Sequence, residues 1–203
     1  MRQPSTVIFD IGNVLVRWDP RNLYRQHFEN TEEMEVFLRE ITTPTWNLEQ
    51  DRGRSFDEAV TLLSQAHPQH EKLIKLFDTN WLDMLAGEIS GSVDILKQLK
   101  AAGVPVFAIT NFSAEKWQVF SRKYDFTQLF QGVVVSGEEG LVKPDPAIFK
   151  RAFSRFDVAP QDCIFIDDVS ENIVASQSLG TAGHHFKDAE TLAHDLQARQ
   201  LLR

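Results

Sequence analysis

Three features are scarce in this sequence of 203 residues: cysteines, long apolar runs and clusters of basic residues. The single cysteine, Cys163, excludes an internal disulfide, and its apolar neighbours make it a core residue rather than a nucleophile. No apolar run approaches the roughly 20 residues of a membrane-spanning helix. Residues 1–6 show no secretory pattern, so we expect a cytoplasmic protein. A formal net charge of −8, with the lysines and arginines scattered, argues against nucleic acid as a partner.

What the sequence does contain is ordinary for a globular protein. Hydrophobic residues make up 42% and charged residues 25%. The length exceeds the commonest domain size but fits one domain with an insertion. We find no internal repeat and no low-complexity tract.

The most informative stretch is residues 7–15. Residues 7–9 are large and apolar, which is typical of a strand buried on both faces, and Asp10 follows at its carboxyl end. Gly12 and Asn13 then predict a tight turn. An aspartate at this place in an open α/β sheet can attack a substrate or bind a metal. The alternative is an aspartate that only caps the turn.

Residues 17–86, which we call the cap segment, show helical spacing of their apolar residues and predict a four-helix insertion. The predicted helices begin at Asp19-Pro20, at Thr31, at the capping box of residues 55–58 and shortly before Leu73, the last continuing to Leu85. Residues 42–54 are predicted as a loop.

From Ser90 onward helices and apolar strands alternate, which predicts a parallel sheet with helices on both faces. The predicted strands are residues 106–109, 133–135, 163–166 and, at one edge, 182–186. We therefore predict an α/β fold with a doubly wound parallel-sheet core, formed by residues 1–16 and 87–203, and an inserted α-helical cap.

Polar residues follow several of these strands and loops. They are Asp10, Thr110 and Asn111, Lys143, Asp167 and Asp168, and Asn172 beyond them. Parallel strands bring their carboxyl ends to one edge of the sheet, so we expect these side chains to meet. Clustered carboxylates repel one another unless a hard cation binds them, which favours a Mg²⁺ site. Lys143, with Thr110 and Asn111, is suited to hold a phosphoryl group.

The motifs FDIGNVL, ITNFS, LVKPDPAIF and IFIDDVSEN, in this order, resemble the four motifs of the haloacid dehalogenase superfamily. The resemblance covers the whole chain, and the helical insertion lies where one class of the family carries its cap. It implies that Asp10 is the nucleophile that forms an aspartyl-phosphate. The implied Mg²⁺ ligands are Asp10, the carbonyl of Gly12 and Asp168, with Asp167 as a further candidate. Thr110 and Lys143 are implied to bind the phosphate.

Within the family, the acidic pair favours a phosphatase acting on a small phosphorylated metabolite. Dehalogenating members need no metal and carry neutral residues where this chain has Asp167 and Asp168. The first motif, Asp-x-Gly-Asn, resembles that of sugar-phosphate phosphatases, including glucose-1-phosphate phosphatases. A rival hypothesis is a sugar-phosphate-binding protein without turnover. It is weakened by the presence of Asp10 and Lys143, because binding alone needs no nucleophile.

Gly12 is the main departure from the common family pattern, which has there a second aspartate acting as general acid and base. Without that carboxylate we expect the rate to depend steeply on the leaving group, unless a residue of the cap segment substitutes. The candidates are His27, Glu49 and Asp51, which the sequence does not rank.

Other residues have a functional and a structural interpretation. In the predicted loop of the cap segment, Trp46 and Asn47 are candidate substrate-binding residues, although core packing suits the indole better. Trp18 either lines the site or packs at the start of the cap segment, and Phe112 is pocket wall or core. Neighbouring His184 and His185 point to opposite faces of a strand, so we do not expect a metal pair. Ser170 is the predicted N-cap of the helix that carries Asn172, and Asn172 is a candidate support for the metal or for Lys143.

Overall fold

A parallel sheet forms the centre of the structure, a computed structural model in which residues 3–202 are described. The strands are β1 (Thr6–Phe9), β2 (Val16–Trp18), β3 (Leu85–Glu88), β4 (Val106–Thr110), β5 (Gly132–Val135), β6 (Cys163–Asp167) and β7 (Ala182–His185). Five of them form the central sheet in the order β5-β4-β1-β6-β7, and every neighbouring pair is parallel. The carboxyl ends of the strands therefore meet along one edge.

Helices cover both faces of this sheet. They are α1 (Arg21–Tyr24), α2 (Thr31–Glu40), α3 (Pro44–Asp51), α4 (Phe56–Ala66), α5 (Glu71–Thr79), α6 (Ser90–Ala101), α7 (Ala114–Lys123), α8 (Ser136–Glu139), α9 (Pro146–Phe156), α10 (Ser170–Gln177) and α11 (Ala189–Ala198). Short 3₁₀ turns occupy Pro68–His70, Trp81–Met84, Asp125–Leu129 and Pro160–Asp162. Among the helices of residues 3–202, none combines the length and apolarity needed to cross a lipid bilayer.

Strand β1 divides its side chains between two hydrophobic clusters. Val7 and Phe9 belong to a cluster that includes residues of α6, α7 and α11. Ile8 belongs to a second cluster with residues of α9 and α10. Alternate residues of a strand point to opposite faces, so both faces of the sheet are buried. This arrangement confirms the predicted doubly wound α/β core.

The turn after β1 is made by Asn13 rather than by Gly12. Asn13 has a φ of 53°, in the left-handed region, whereas Gly12 does not. The Asn13 side-chain oxygen accepts a hydrogen bond from the Trp18 backbone N–H at 3.0 Å. This turn leads into β2, which pairs antiparallel with β3 and so joins the two ends of the cap segment beside the core.

Three predictions for the cap segment are wrong. Residues 42–54 contain helix α3 instead of a loop, because the Thr43 hydroxyl accepts from the Trp46 backbone N–H at 3.0 Å and Pro44 occupies the first turn. The first predicted helix, expected to continue through His27 and Phe28, ends already at Tyr24. The fourth ends at Thr79, and its expected last turn is a 3₁₀ turn followed by β3. Five helices thus replace the four that were predicted.

An aromatic cluster holds the cap segment together. The rings of Tyr24 and Phe37 lie 5.0 Å apart, and Trp46 packs edge-on against Phe77 at 5.0 Å. The Tyr24 hydroxyl donates to the Leu73 carbonyl at 2.9 Å. Tyr24, Phe37 and Phe77 belong to the same hydrophobic cluster as Val7 and Phe9 of β1, and Trp46 packs against it, so the cap segment is in direct contact with the core.

Candidate active site

Lys143 lies at the centre of the polar residues at the strand ends. Its side chain is only 1% exposed, and its Nζ lies 2.8 Å from Asp10 Oδ1 and 2.7 Å from Asp167 Oδ2. It also donates to the carbonyl of Ile109 at 3.1 Å. Burial alone favours a neutral amine, but the two carboxylates outweigh it and raise the pKa of Lys143. The lysine is therefore a fixed positive charge beneath Asp10.

The side chain of Asn111 holds the backbone of Lys143 in place. Its Oδ1 accepts from the Lys143 N–H at 2.8 Å, and its Nδ2 donates to the Lys143 carbonyl at 3.0 Å. Both ends of the amide are thus used, so Asn111 connects the end of β4 to the loop before α9. These contacts leave the second Nδ2 hydrogen unused, and the predicted role of Asn111 in phosphate binding stays a prediction.

Asp167 is fully buried and already has protein donors on both carboxylate oxygens. Besides Lys143, Asn172 Nδ2 donates to its Oδ1 and Oδ2 at 3.0 and 3.1 Å, and the Val169 backbone N–H donates to Oδ1 at 2.8 Å. Asn172 therefore supports Lys143 through Asp167. Ser170 is not the N-cap that was predicted, because α10 begins at Ser170 itself and its hydroxyl donates to Glu171 instead.

Asp10, Asp167 and Asp168 form a carboxylate cluster, in which one oxygen from each lies within 4.8 Å of the others. Within residues 3–202 no other group of three acidic, histidine or cysteine side chains has such geometry. Burial raises the pKa of Asp10 to about 7 despite the opposing charge of Lys143, and burial followed by the charge of Asp167 raises the pKa of Asp168. Hard oxygen ligands that repel one another in this way are suited to bind a divalent cation such as Mg²⁺.

A cavity of about 240 Å³ opens above the cluster, and we call it the strand-end cavity. Its polar lining comes from Asp10, Gly12, Asn13, Asn47, Asp51, Asn111, Ser113 and Asp168. Its apolar walls come from Val16, Trp18, Trp81, Leu85, Phe112 and Val169. Residues of both the core and the cap segment thus enclose the space above Asp10.

The structure separates the sequence candidates into those that reach this cavity and those that do not. Thr110 and Lys143 are buried and do not line it. Asn47 lines the cavity, whereas the Trp46 ring packs against Phe77. The Trp46 backbone carbonyl accepts hydrogen bonds from the side chains of Gln50 and Arg54. Of the candidate proton donors in the cap segment, only Asp51 is among the lining residues.

Asp51 is the last residue of α3 and carries the second strongly perturbed carboxyl of the site. Burial raises its pKa to about 7, opposed by a hydrogen bond from the Ser113 backbone N–H, with Asp10 raising it further and Lys143 lowering it. Its Oδ2 also accepts from Asn47 Nδ2 at 3.1 Å. A perturbed carboxyl that lines a cavity is a candidate for acid–base chemistry.

The sequence did not single out Trp81, Ser113 or Ser136. Trp81 was placed on a helix that the structure ends at Thr79, so its position on the cavity wall had no sequence signal. Ser113 belongs to the motif ITNFS, which is the signal that could have identified it. The Ser136 hydroxyl accepts from the Phe112 backbone N–H at 2.8 Å and donates to the carbonyl of Asp51, a contact between distant segments.

The two neighbouring histidines contact different partners. His184 Nδ1 lies 2.9 Å from Asp195 Oδ2, and His185 Nε2 lies 2.9 Å from the carbonyl of Asp168. They do not converge on a common point, as expected for adjacent strand residues. His185 instead fixes the backbone that carries Asp168.

Comparison with known proteins gives one family and several relatives. A model for the haloacid dehalogenase-like hydrolases matches residues 4–180. Sesquiterpene phosphatase astK of Aspergillus oryzae is 29% identical over 205 residues, which cover 98% of this chain and 96% of that protein. Glyceraldehyde 3-phosphate phosphatase of Pyrococcus furiosus is 30% identical over 115 residues, covering 56% of this chain and 48% of that protein.

One solved structure with the same fold also holds a metal and an anion. The HAD family enzyme bt-2542 of Bacteroides thetaiotaomicron, in complex with magnesium and inorganic phosphate, matches with a TM-score of 0.71 at 23% identity. The match covers 94% of this chain and 98% of that chain.

Proposed function

From the fact that this chain belongs to the haloacid dehalogenase-like hydrolases, we propose that it hydrolyses a small phosphate monoester, with Asp10 as the nucleophile. The observation that carries the proposal is the ion pair between Asp10 and the buried Lys143, 2.8 Å apart, at the floor of the strand-end cavity. A nucleophile needs an unprotonated carboxylate, and the lysine favours that form. The acidic neighbours of Asp10 are the ligands that Mg²⁺ prefers.

The proposed reaction has two displacements. An oxygen of Asp10 attacks phosphorus, so that the Asp10 O–P bond forms and the P–O bond to the alcohol breaks. Water then attacks the aspartyl-phosphate, which releases inorganic phosphate and restores Asp10. Lys143 holds Asp10 in position and offsets the charge of the phosphoryl group. Mg²⁺ held by Asp10, Asp168 and the carbonyl of Gly12 would neutralise the negative charge on the phosphoryl oxygens.

We further propose that residues 17–86 act as the cap that excludes water, over a core formed by residues 1–16 and 87–203. Asn47, Asp51 and Trp81 reach the strand-end cavity from this segment, opposite Asp10 and Asp168. Removing water strengthens the electrostatic contacts of the site and protects a reactive intermediate from side reactions. The predicted substrate contacts of Trp46 would then be indirect, through its packing on Phe77.

Two classes of alcohol suit the cavity. The first motif resembles that of sugar-phosphate phosphatases, which favours a sugar phosphate. The six apolar wall residues, among them Trp18, Trp81 and Phe112, favour instead a monoester of an apolar alcohol. The relative named as a sesquiterpene phosphatase supports this second class. A panel that contains both classes distinguishes them by kcat/KM.

The test is phosphate release by the purified protein from a panel of aryl, sugar and prenyl phosphates with Mg²⁺. We expect turnover of at least one class, loss of activity on chelation, and loss of at least a thousandfold in Asp10→Asn. Glu49→Gln is the matched control, because Glu49 pairs with Arg52 at 3.6 Å outside the cavity. Halide release from a 2-haloacid without metal would support the dehalogenase alternative. Tight binding of a sugar phosphate without any turnover would support the non-catalytic binding protein.

A further inference from the structure

The reaction proposed above needs a proton for the leaving oxygen, and position 12 does not supply it. Gly12 is not required by the backbone, since its φ lies outside the left-handed region that Asn13 occupies. It is not required by packing either, because a Cβ at this position would meet no atom within 4 Å. A side chain could be accommodated there, but none is present. For an alcohol that leaves poorly as its oxide, another group of the strand-end cavity would have to supply the proton.

The lining of the cavity leaves one suitable donor. Asp10 is the proposed nucleophile, and Asp168 belongs to the carboxylate cluster. The remaining polar side chains besides Asp51 are the amides of Asn13, Asn47 and Asn111 and the hydroxyl of Ser113. Amides and hydroxyls do not release a proton near neutral pH, whereas a carboxyl group does. Asp51 is the carboxyl group that remains.

Contacts with the core hold Asp51 over the cavity. Its carbonyl accepts a hydrogen bond from Ser136 Oγ, which in turn accepts from the Phe112 backbone N–H at 2.8 Å. Its carboxylate accepts from the Ser113 backbone N–H and from Asn47 Nδ2. The end of α3 is thus fixed to the loop after β4 and to α8. These contacts hold the Asp51 carboxyl group of the cap segment at the same cavity as the Asp10 carboxylate of the core.

We propose, on the basis of the function proposed above, that Asp51 is the general acid and base of this enzyme, delivered by the cap segment in place of a side chain at position 12. As the bond between phosphorus and the leaving oxygen breaks, the carboxyl proton of Asp51 passes to that oxygen and the alcohol departs neutral. The resulting carboxylate accepts a proton from the water that attacks the aspartyl-phosphate. Inorganic phosphate then leaves, and both aspartates return to their starting states.

The charges around Asp51 are compatible with this role. Burial is the main influence and raises its pKa to about 7, with Asp10 acting in the same direction and Lys143 against it. On its own helix Glu49 pairs with Arg52, and on α8 Glu139 pairs with Arg151 and Arg155. Glu115 of α7 accepts from the Phe56 backbone N–H at 3.3 Å. These charged groups are engaged with partners of their own.

The experiment compares Asp51→Asn with the wild type on two substrates, an aryl phosphate and a primary alkyl phosphate. The aryl oxide leaves without a proton, while the alkoxide needs one. Because loss of the base in the second step slows both substrates alike, the first step is measured alone, as the single-turnover rate of alcohol release. We expect this rate to fall by about 10²–10⁴ on the alkyl phosphate and by less than tenfold on the aryl phosphate. The retained aryl rate shows that the variant is folded and that the nucleophile works. Glu49→Gln, on the same helix, should change neither rate by more than about twofold.

A second variant supplies the missing carboxylate from the core. Adding Gly12→Asp to Asp51→Asn should raise the first-step rate on the alkyl phosphate at least tenfold above that of Asp51→Asn, because a Cβ at position 12 meets no atom within 4 Å. Equal losses of the first-step rate on both substrates in Asp51→Asn, an unchanged first-step rate on the alkyl phosphate, or a wild type that hydrolyses only the aryl phosphate would each overturn the proposal for Asp51. Absence of phosphate release from every substrate would instead overturn the proposed function.

Discussion

Replacing Lys143 with methionine tests how the charges at the strand ends stabilise the fold. The lysine side chain is 1% exposed, and its two carboxylate partners, Asp10 and Asp167, lie 2.8 and 2.7 Å from it. Methionine fills a similar volume but leaves both carboxylates without their cation. Removing one partner of a buried ion pair costs about 3–5 kcal/mol, since the remaining charge stays buried. For a domain of this size each kcal/mol lowers Tm by about 2–4 °C, so we expect a drop of about 6–20 °C.

The assay is urea unfolding at pH 8 with a chelator, so that no cation replaces the lysine. The loss should be smaller at pH 5. Burial already holds the pKa of Asp10 at about 7 with Lys143 present, and without the lysine the carboxyl takes up a proton more readily. The double variant Lys143→Met, Asp167→Asn removes a negative charge together with the positive one, and should recover at least half of the loss. A loss below about 1 kcal/mol at pH 8, or a double variant as unstable as the sum of the single ones, would refute this account.

Two further predictions concern the other carboxylates. Asp168→Ala should weaken Mg²⁺ binding more than Asp167→Ala in calorimetric titration. The reason is that Asp168 lines the strand-end cavity, while the oxygens of Asp167 already accept hydrogen bonds from Lys143 and other protein donors. Equal or reversed losses would contradict this order. Asp51→Asn should gain stability relative to the wild type between pH 5 and pH 8. The pKa of Asp51 is raised to about 7, so the native state holds the proton more tightly than the unfolded chain and the wild type loses stability as pH rises through that range. Unfolding curves at both pH values that differ by a constant amount would rule this out.

The positions of the core strands along the chain and the polar residues at their ends could be predicted from local sequence. Continuous apolar runs such as residues 7–9 and 163–166 form strands that are buried on both faces of the sheet. A carboxylate that follows such a strand therefore lies where the carboxyl ends of the parallel strands meet. In the motif LVKPDPAIF, Asp145 followed by Pro146 is a local signal for a helix start, and α9 begins at Pro146, because a cap and a first-turn proline act within one turn.

The cap segment was predicted less well, because its structure depends on distant contacts. Strand β2 exists because Val16 pairs with Glu88 and Trp18 with Leu85, and neither short segment has a strand pattern of its own. Helix α3 has weak apolar periodicity, and its cap residue Thr43 and first-turn Pro44 lie within a polar stretch that is also typical of a loop.

The sequence by itself determined the family motifs, the α/β core and the presence of a carboxylate cluster, since each follows from residue types at fixed places relative to one strand. Only the tertiary structure decided what the members of the site contact. It engaged Asn111 with the backbone of Lys143, directed Asp167 to the lysine rather than the cavity, and separated Asp51 from Glu49 on the same helix. Side-chain spacing along one element predicts which residues share a face, but which face meets the nucleophile depends on how the cap segment packs on the core.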